Sequence, residues 1–334
     1  YHFIEKPTRG FRRVRWTGVV GAGFVLPAAL FSSAAFAAIQ WQGMPDRFDE
    51  ALNRKSAAVL AYADVTRGRC NEGPVRSPLG PDECVLGIYK PSVDILLVGD
   101  SHANHFSGMI SELAGNAGLR GYDVTQSNTA FLVGVERFYP QDGQVVRHGN
   151  FRARNSVIEQ KLLAEQYDYV VLGGSFVGHY GGGMFSSDLV APENPTPDVF
   201  REAMIRTISK VIESGSTPVL IKGNPTFGFD VSNCTLNNQR FGLAENCHLA
   251  REDVQEKFLE WSQFVVELEA QFNQLVVIDP AKVMCDDKWC YSELDGVPLY
   301  KDSGHLNYEG SKLIGRLYIE QFGNPFTSEV KGNS

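Results

Sequence analysis

The sequence predicts an α/β domain with a central parallel sheet in a three-layer arrangement, preceded by a transmembrane helix and a linker extension. Three observations carry this. After Lys90, short apolar runs alternate with helical patterns, as in a parallel sheet covered by helices on both faces. Between Trp16 and Trp41 there is no charged residue. Six cysteines fall into three near-neighbour pairs, which suits a domain in an oxidising compartment.

The N-terminal elements come first. Tyr1-His2-Phe3-Ile4-Glu5-Lys6-Pro7 opens the chain without methionine and reads as the continuation of a longer protein. Arg9, Arg12, Arg13 and Arg15 follow. At about 1.5 Å per residue the uncharged stretch spans roughly 36 Å, enough for a bilayer core. Pro27 kinks such a helix without forbidding it. The preceding arginines place its start in the cytoplasm and everything after Trp41 outside, with Trp16 and Trp41 at the two interfaces. A cleaved signal peptide is the competing reading, with Ala35-Phe36-Ala37 as the cleavage site. Both readings export the rest of the chain. The expected divisions are a cytoplasmic segment (1–15), a transmembrane helix (16–41), a periplasmic extension (42–90) and a catalytic domain (91–334). The extension holds a helical stretch, Pro45 to Ala63, then a Gly/Pro/Arg-rich segment in which Cys70 and Cys84 argue for fixed structure.

Strands are expected near 93–98, 121–125, 168–173, 217–222 and 274–279. Helices are expected near 104–117, 153–165, 196–214, 250–272 and 308–322. The Gly/Ser-rich stretch from Gly178 to Pro197 reads as a loop, bordering an acceptor site or merely flexible. The cysteines are expected to pair as Cys70–Cys84, Cys234–Cys247 and Cys285–Cys290 and to pin loops rather than the core. Zinc is the alternative, but no pair has Cys-x-x-Cys spacing and no metal is expected. A formal net charge of −8 over 334 residues, with no basic run from 42 onward, argues against a nucleic-acid partner.

Two peptides carry the chemistry. Gly99-Asp100-Ser101-His102-Ala103 follows the apolar run Val93 to Val98, where an open α/β sheet places its ligand crevice. Asp302-Ser303-Gly304-His305-Leu306 precedes the last helix and offers a carboxylate and an imidazole three residues apart. A serine hydroxyl is a weak nucleophile until a base takes its proton, and a carboxylate on the far imidazole nitrogen fixes the base's tautomer. Either peptide alone reads equally well as a turn or a helix cap.

Together, in this order, they resemble the SGNH (GDSL-like) hydrolase superfamily over residues 91–325. The resemblance implies an SGNH-hydrolase-like three-layer fold, with Ser101 as nucleophile, His305 as base and Asp302 as its orienting carboxylate. It also implies an oxyanion hole from the serine N–H, a second-block glycine and a third-block asparagine. Here the second block reads Gln126-Ser127-Asn128-Thr129-Ala130, and the third reads Gly173-Gly174-Ser175-Phe176 without Gly-x-Asn-Asp. Ser101, Asn128 and Ser175 are therefore the oxyanion candidates. Asn224, in Lys222-Gly223-Asn224-Pro225, is a rival, and His102 is secondary.

Tyr1 to Pro7, upstream of a spanning helix and such a domain, resembles the end of an acyltransferase family three membrane domain. That resemblance implies O-acylation, usually O-acetylation, of a bacterial surface polysaccharide such as lipopolysaccharide O-antigen. The donor would be cytoplasmic acyl-CoA, usually acetyl-CoA, acting through the upstream membrane domain of the same chain. The partners would be that domain and the glycan acceptor, at the inner membrane with the catalytic domain in the periplasm. An exported carbohydrate esterase or deacetylase, and a non-catalytic glycan-binding module, are the alternatives.

Overall fold

The computed structural model describes residues 16–41, 43, 45–60 and 65–327. The peptide Tyr1 to Pro7 and the arginines before Trp16 lie outside the described residues. The chain divides into two compact units, one ending at Asn53 and one starting at Arg54.

In the first unit, helix α1 (Trp16–Gln40) is long and apolar enough to cross a membrane, with mean hydropathy 1.9 and none of its most apolar window buried. Its middle, Gly21–Val25, is wound as a π-turn, with the Leu26 N–H donating to the Gly21 carbonyl. The cause is local: Pro27 has no N–H for the carbonyl one turn back and its ring crowds that carbonyl, so the turn widens. The stretch expected as a helix from Pro45 to Ala63 contains a 3-10 turn, Pro45–Arg47, and α2 (Glu50–Leu60). Residues 61–63 lie outside the described residues.

In the second unit a six-stranded sheet runs in the order β1-β3-β2-β6-β8-β10. Its members are β1 (Val85–Gly87), β2 (Ile95–Gly99), β3 (Arg120–Asp123), β6 (Tyr169–Gly173), β8 (Thr217–Ile221) and β10 (Val276–Ile278). All pairs are parallel except β1–β3, so the sheet is mixed where a parallel one was expected. The segment carrying β1 is tied down by Cys70–Cys84 and by Arg120, which donates to the Lys90 carbonyl at 2.6 Å. The expected boundary at residue 91 therefore falls inside the sheet.

Successive strand residues face opposite layers. Leu96 and Val98 pack with side chains of α5 (Phe151–Ala164), α7 (Pro197–Glu213) and α9 (Arg251–Gln271), including Ile158, Met204 and Trp261. Ile95 and Leu97 pack on the other side with Met109 and Ile110 of α4 (Ser107–Asn116) and Ile314 of α10 (Tyr308–Phe322). The sheet is thus covered by helices on both faces, an α/β architecture in three layers, as expected. The single helix expected over 104–117 begins earlier and is split at Phe106 into α3 (Ser101–His105) and α4.

Helices α4 and α10 follow the serine peptide and the Asp-His peptide respectively, and their packing brings the two peptides together. The contact is close because it is built on small residues: a Cβ on Gly108 would lie 2.8 Å from the Tyr308 carbonyl oxygen. The Met109 N–H also donates to Ser311 Oγ at 3.0 Å.

A second sheet, in the order β5-β4-β7, comprises β4 (Glu136–Gln141), β5 (Gln144–Arg147) and β7 (Met184–Ser186). Its hairpin turns at Asp142-Gly143, with φ of 50° and 76°, the Asp-Gly signature of a type I′ turn. The stretch from Gly178 onward, expected as a loop, is partly regular: it holds most of α6 (Phe176–Gly182) and all of β7. The three disulfides are Cys70–Cys84, Cys234–Cys247 and Cys285–Cys290, leaving no free cysteine. Cys70, Cys84, Cys247 and Cys290 are buried among core residues, and Cys70 and Cys234 stand on helices, so the bridges belong to the core where they were expected to pin loops alone.

Candidate active site

Strand β2 ends at Gly99 with φ of 136°, and a Cβ there would lie 1.8 Å from the Gly173 carbonyl oxygen. Only glycine fits, which lets the chain turn sharply out of the sheet. Asp100 then caps α3, its Oδ1 accepting from the His102 N–H at 2.8 Å. Ser101 opens the helix, where first-turn N–H groups have no intrahelical partner.

The structure brings Ser101, His305 and Asp302 together. Ser101 Oγ lies 2.9 Å from His305 Nε2, although the residues are 204 apart in sequence. His305 Nδ1 lies 3.0 Å from Asp302 Oδ2, and Asp302 Oδ1 accepts from the N–H groups of Gly304 at 2.9 Å and His305 at 2.7 Å. Burial opposes the Asp302 charge, but these hydrogen bonds outweigh it and hold its carboxyl well below the usual carboxylate range. The arrangement is a neutral hydroxyl, a base in line with it and an ionised orienting group.

The loop after β8 supports this turn. Phe227 N–H donates to the Ser303 carbonyl at 2.7 Å, and Asn224 Nδ2 donates to the carbonyls of Gly304 and Pro225, each at 3.0 Å. Both amide hydrogens of Asn224 are thus engaged, so the rival oxyanion candidate is built as a clamp on the His305 turn.

Ser175 stands beside the serine turn, but its N–H donates to Asp100 Oδ2 at 3.1 Å. Ser175 also lines the adjoining cleft. Asn128 is exposed with φ of 58°, and its carbonyl accepts from Arg137. Among the described residues no hydrogen bond links Asn128 to Ser101, His305 or Asp302.

Two histidines pack near His305. The His102 ring centroid is 4.5 Å from that of His305 and 4.8 Å from that of His105. Burial pushes the His102 pKa down to about 4, despite the nearby Asp100 carboxylate. Burial likewise carries His105 well below its ordinary value. Neither is a second cation beside the base.

Sequence reading missed His179. It lies on α6, is buried, and its Nε2 is 2.7 Å from Asp100 Oδ2. Burial opposes the Asp100 charge; the hydrogen bond and charge interaction with His179 more than offset it, and the carboxyl lies well below its usual range. The signal available in sequence was a lone histidine inside Gly-rich Phe176 to Gly183, which points nowhere without the fold. A cleft of about 440 Å³ opens beside the serine turn, lined by His102, Ser175, Asn224, Thr226, Lys257 and Phe258 among others. Lys257 Nζ donates to Thr226 Oγ1 at 2.6 Å on its rim. Among the described residues no group of three or more metal-ligating side chains converges.

Residues 69–320 match the family described as the SGNH domain fused to AT3 domains. Among solved structures, the periplasmic domain of a lipopolysaccharide acetyltransferase from Salmonella ser. Paratyphi A is similar, with TM-score 0.52 and 18% identity, covering 81% of this chain and 96% of that one. A G-D-S-L family protein from Desulfitobacterium hafniense shows TM-score 0.40 and 14% identity, over 69% of this chain and 99% of that one. No curated protein matches the sequence. With the family match spanning most of its length, from ahead of β1 into the last helix, this chain belongs to the SGNH-domain family described as fused to AT3 domains.

Proposed function

We propose that this protein is an O-acyltransferase, moving an acyl group, most simply acetyl, through an acyl-Ser101 intermediate to a hydroxyl of a cell-surface polysaccharide. The observation that carries the reading is the hydrogen-bonded series Ser101–His305–Asp302 at the end of β2. Its support in context is a family described as fused to AT3 domains and an exposed apolar helix, α1, ahead of the domain. In this reading α1 crosses the bacterial inner membrane and the domain faces the periplasm. The upstream membrane domain supplies the acyl group from cytoplasmic acyl-CoA.

The chemistry has two halves. As Ser101 Oγ attacks the acyl carbonyl carbon, its proton passes to His305 Nε2, while Asp302 stabilises the imidazolium through Nδ1. Negative charge on the carbonyl oxygen is met by the Ser101 N–H at the start of α3, assisted by the positive end of that turn, with the Ser175 hydroxyl as second candidate donor. The intermediate collapses with return of the proton to the leaving group, leaving acyl-Ser101. A sugar hydroxyl then gives its proton to His305 and attacks the acyl-serine, and the second collapse reprotonates Ser101. Water in place of the sugar makes the same site an esterase.

The test uses the full chain with a chromogenic acetyl ester and a surface polysaccharide. An acetyl adduct on the Ser101 peptide and acetyl on the glycan, both absent from Ser101→Ala, are the expected results. Free acetate as the sole product, with an unmodified glycan, would replace transferase with esterase. A Ser101→Ala variant that retains turnover would remove the nucleophile assignment.

A further inference from the structure

A second polar cleft, of about 500 Å³, lies apart from the triad and is lined by Arg76, Glu136, Arg147, Arg152, Ser156 and Gln160 among others. We infer that it binds an anionic group, a carboxylate or phosphate carried on a saccharide. The saccharide identity rests on the acyl-transfer reading; the anion site does not.

Three elements bring the arginines together. Arg147 ends β5, Arg152 lies in the first turn of α5, and Arg76 sits in the loop after Cys70. That loop is anchored from within by Arg154, which is fully buried and hydrogen-bonds Gln126 Oε1 at 2.6 Å and the Pro74 carbonyl at 3.4 Å. All three lining arginines are exposed, and among the described residues none has an ion-pair partner. Among the described residues, four other arginines do meet carboxylates: Arg69 with Glu83, Arg201 with Glu267, Arg206 with Glu202, Arg316 with Glu112. Three guanidiniums facing one buried glutamate leave an excess of positive charge, on a chain whose net charge is −8. The cap residue Asn150 makes no side-chain hydrogen bond to α5, so the helix's positive end adds to that field.

Guanidinium pairs carboxylate or phosphate through two parallel hydrogen bonds, which suits an oxyanion better than a neutral sugar. The cleft is concave, and Ser156 and Gln160 add neutral hydrogen-bonding groups of the kind sugar hydroxyls use. Both features favour a discrete polar group over a flat lipid surface. Strand β4 links this cleft to the triad region: Glu136 lines the cleft, while the next residue, Arg137, bonds the Asn128 carbonyl and feels the Asp100 carboxylate. Alternation along the strand places these two side chains on opposite faces.

The experiment titrates the full chain, in nanodiscs of neutral lipid, with an oligouronate, a sugar phosphate, a neutral oligosaccharide of equal length, and vesicles containing anionic lipid. Turnover of a small neutral ester is measured alongside. Wild-type protein should bind the two anionic saccharides and not the neutral one, more weakly as salt rises. The double variant Arg147→Ala/Arg152→Ala should bind them about ten-fold or more weakly, with ester turnover unchanged, and the Arg147→Lys/Arg152→Lys variant should fall between. Equal binding of charged and neutral saccharides, or undiminished binding by the alanine variant, would overturn the inference. So would arginine-dependent binding to anionic vesicles with no saccharide binding, which would assign the patch to the membrane. Failure of acyl transfer with anion binding intact would remove the proposed reaction and leave the site.

Discussion

Among the described residues, two hydrogen-bonded aspartate–histidine pairs, at 3.0 and 2.7 Å, stand in opposite settings. In Asp302–His305 the partners are three residues apart and partly open to solvent, with 38% and 27% of their side-chain surface exposed. The other imidazole nitrogen of His305 points at Ser101. In Asp100–His179 the partners are 79 residues apart and almost fully enclosed, at 2% and 7%. There Asp100 is shared between a helix cap, the Ser175 N–H and the imidazole, and it joins the serine turn to the loop after β6. On the proposed reading, the same two side chains make a proton-handling unit in one place and a bracket in the other. What differs is whether the second nitrogen meets a reactive hydroxyl beside an open cleft.

The comparison breaks most readily at Asp302. Asp302→Asn keeps the shape of the turn but loses the carboxylate that fixes the His305 tautomer. Ester turnover should fall by about 10⁴-fold, as for other triad carboxylates, with a drop in melting temperature that reflects only the lost charge, since the amide oxygen can still accept from the Gly304 and His305 N–H groups. Turnover within ten-fold of wild type would show that His305 works without an ionised partner.

The bracket should respond the other way. His179→Ala leaves a buried carboxylate without its imidazole partner, a change that typically costs about 3–5 kcal/mol. Thermal unfolding should show a large drop in melting temperature, while the folded fraction loses less turnover than Asp302→Asn does. An unchanged melting temperature with abolished turnover would move His179 from bracket to reaction.

The smallest effect lies in pH. His102 has a folded-state pKa of about 4, against about 6.5 in an unfolded chain. Between those values the unfolded chain binds a proton that the native one refuses, so stability declines as pH falls from about 6.5 toward 4. Buried His105 acts in the same direction. Asp100 and Asp302 are depressed instead, and their contribution, complete above about pH 4, is lost only as pH falls further through their folded values. Melting temperatures measured from pH 7 to 4 should therefore slope downward, and His102→Gln should flatten part of that slope. A variant profile parallel to wild type would mean that His102 is protonated in the native state.

Much of the fold was legible because the strands that form the sheet's centre are apolar runs with turn residues at their ends. Strand β1 was not: three residues, Val85 to Gly87, carry no periodicity, and their pairing with β3 is fixed by Cys70–Cys84 and the Arg120 clamp around them. The β4–β5 hairpin did leave a trace, Asp142-Gly143, but its strands read as polar because one face is largely exposed. No basic run marks residues 42 onward, yet Arg76, Arg147 and Arg152 line one cleft, since folding sets charges side by side without regard to their distance along the chain.

By itself the sequence determined the alternation of strands and helices, the apolar length of α1, the pairing of the cysteines by neighbourhood, and the residue types Ser101, Asp302 and His305 at local spacings that a turn and a helix start require. These are short-range properties, set by periodicity, φ preferences and capping. Only the tertiary structure decided that α4 and α10 pack closely enough to place Ser101 2.9 Å from His305, that Asn224 clamps the His305 turn, and that Asp100 finds His179. Contacts between residues 79 or 204 positions apart depend on how buried surfaces fit, and no local pattern encodes that fit.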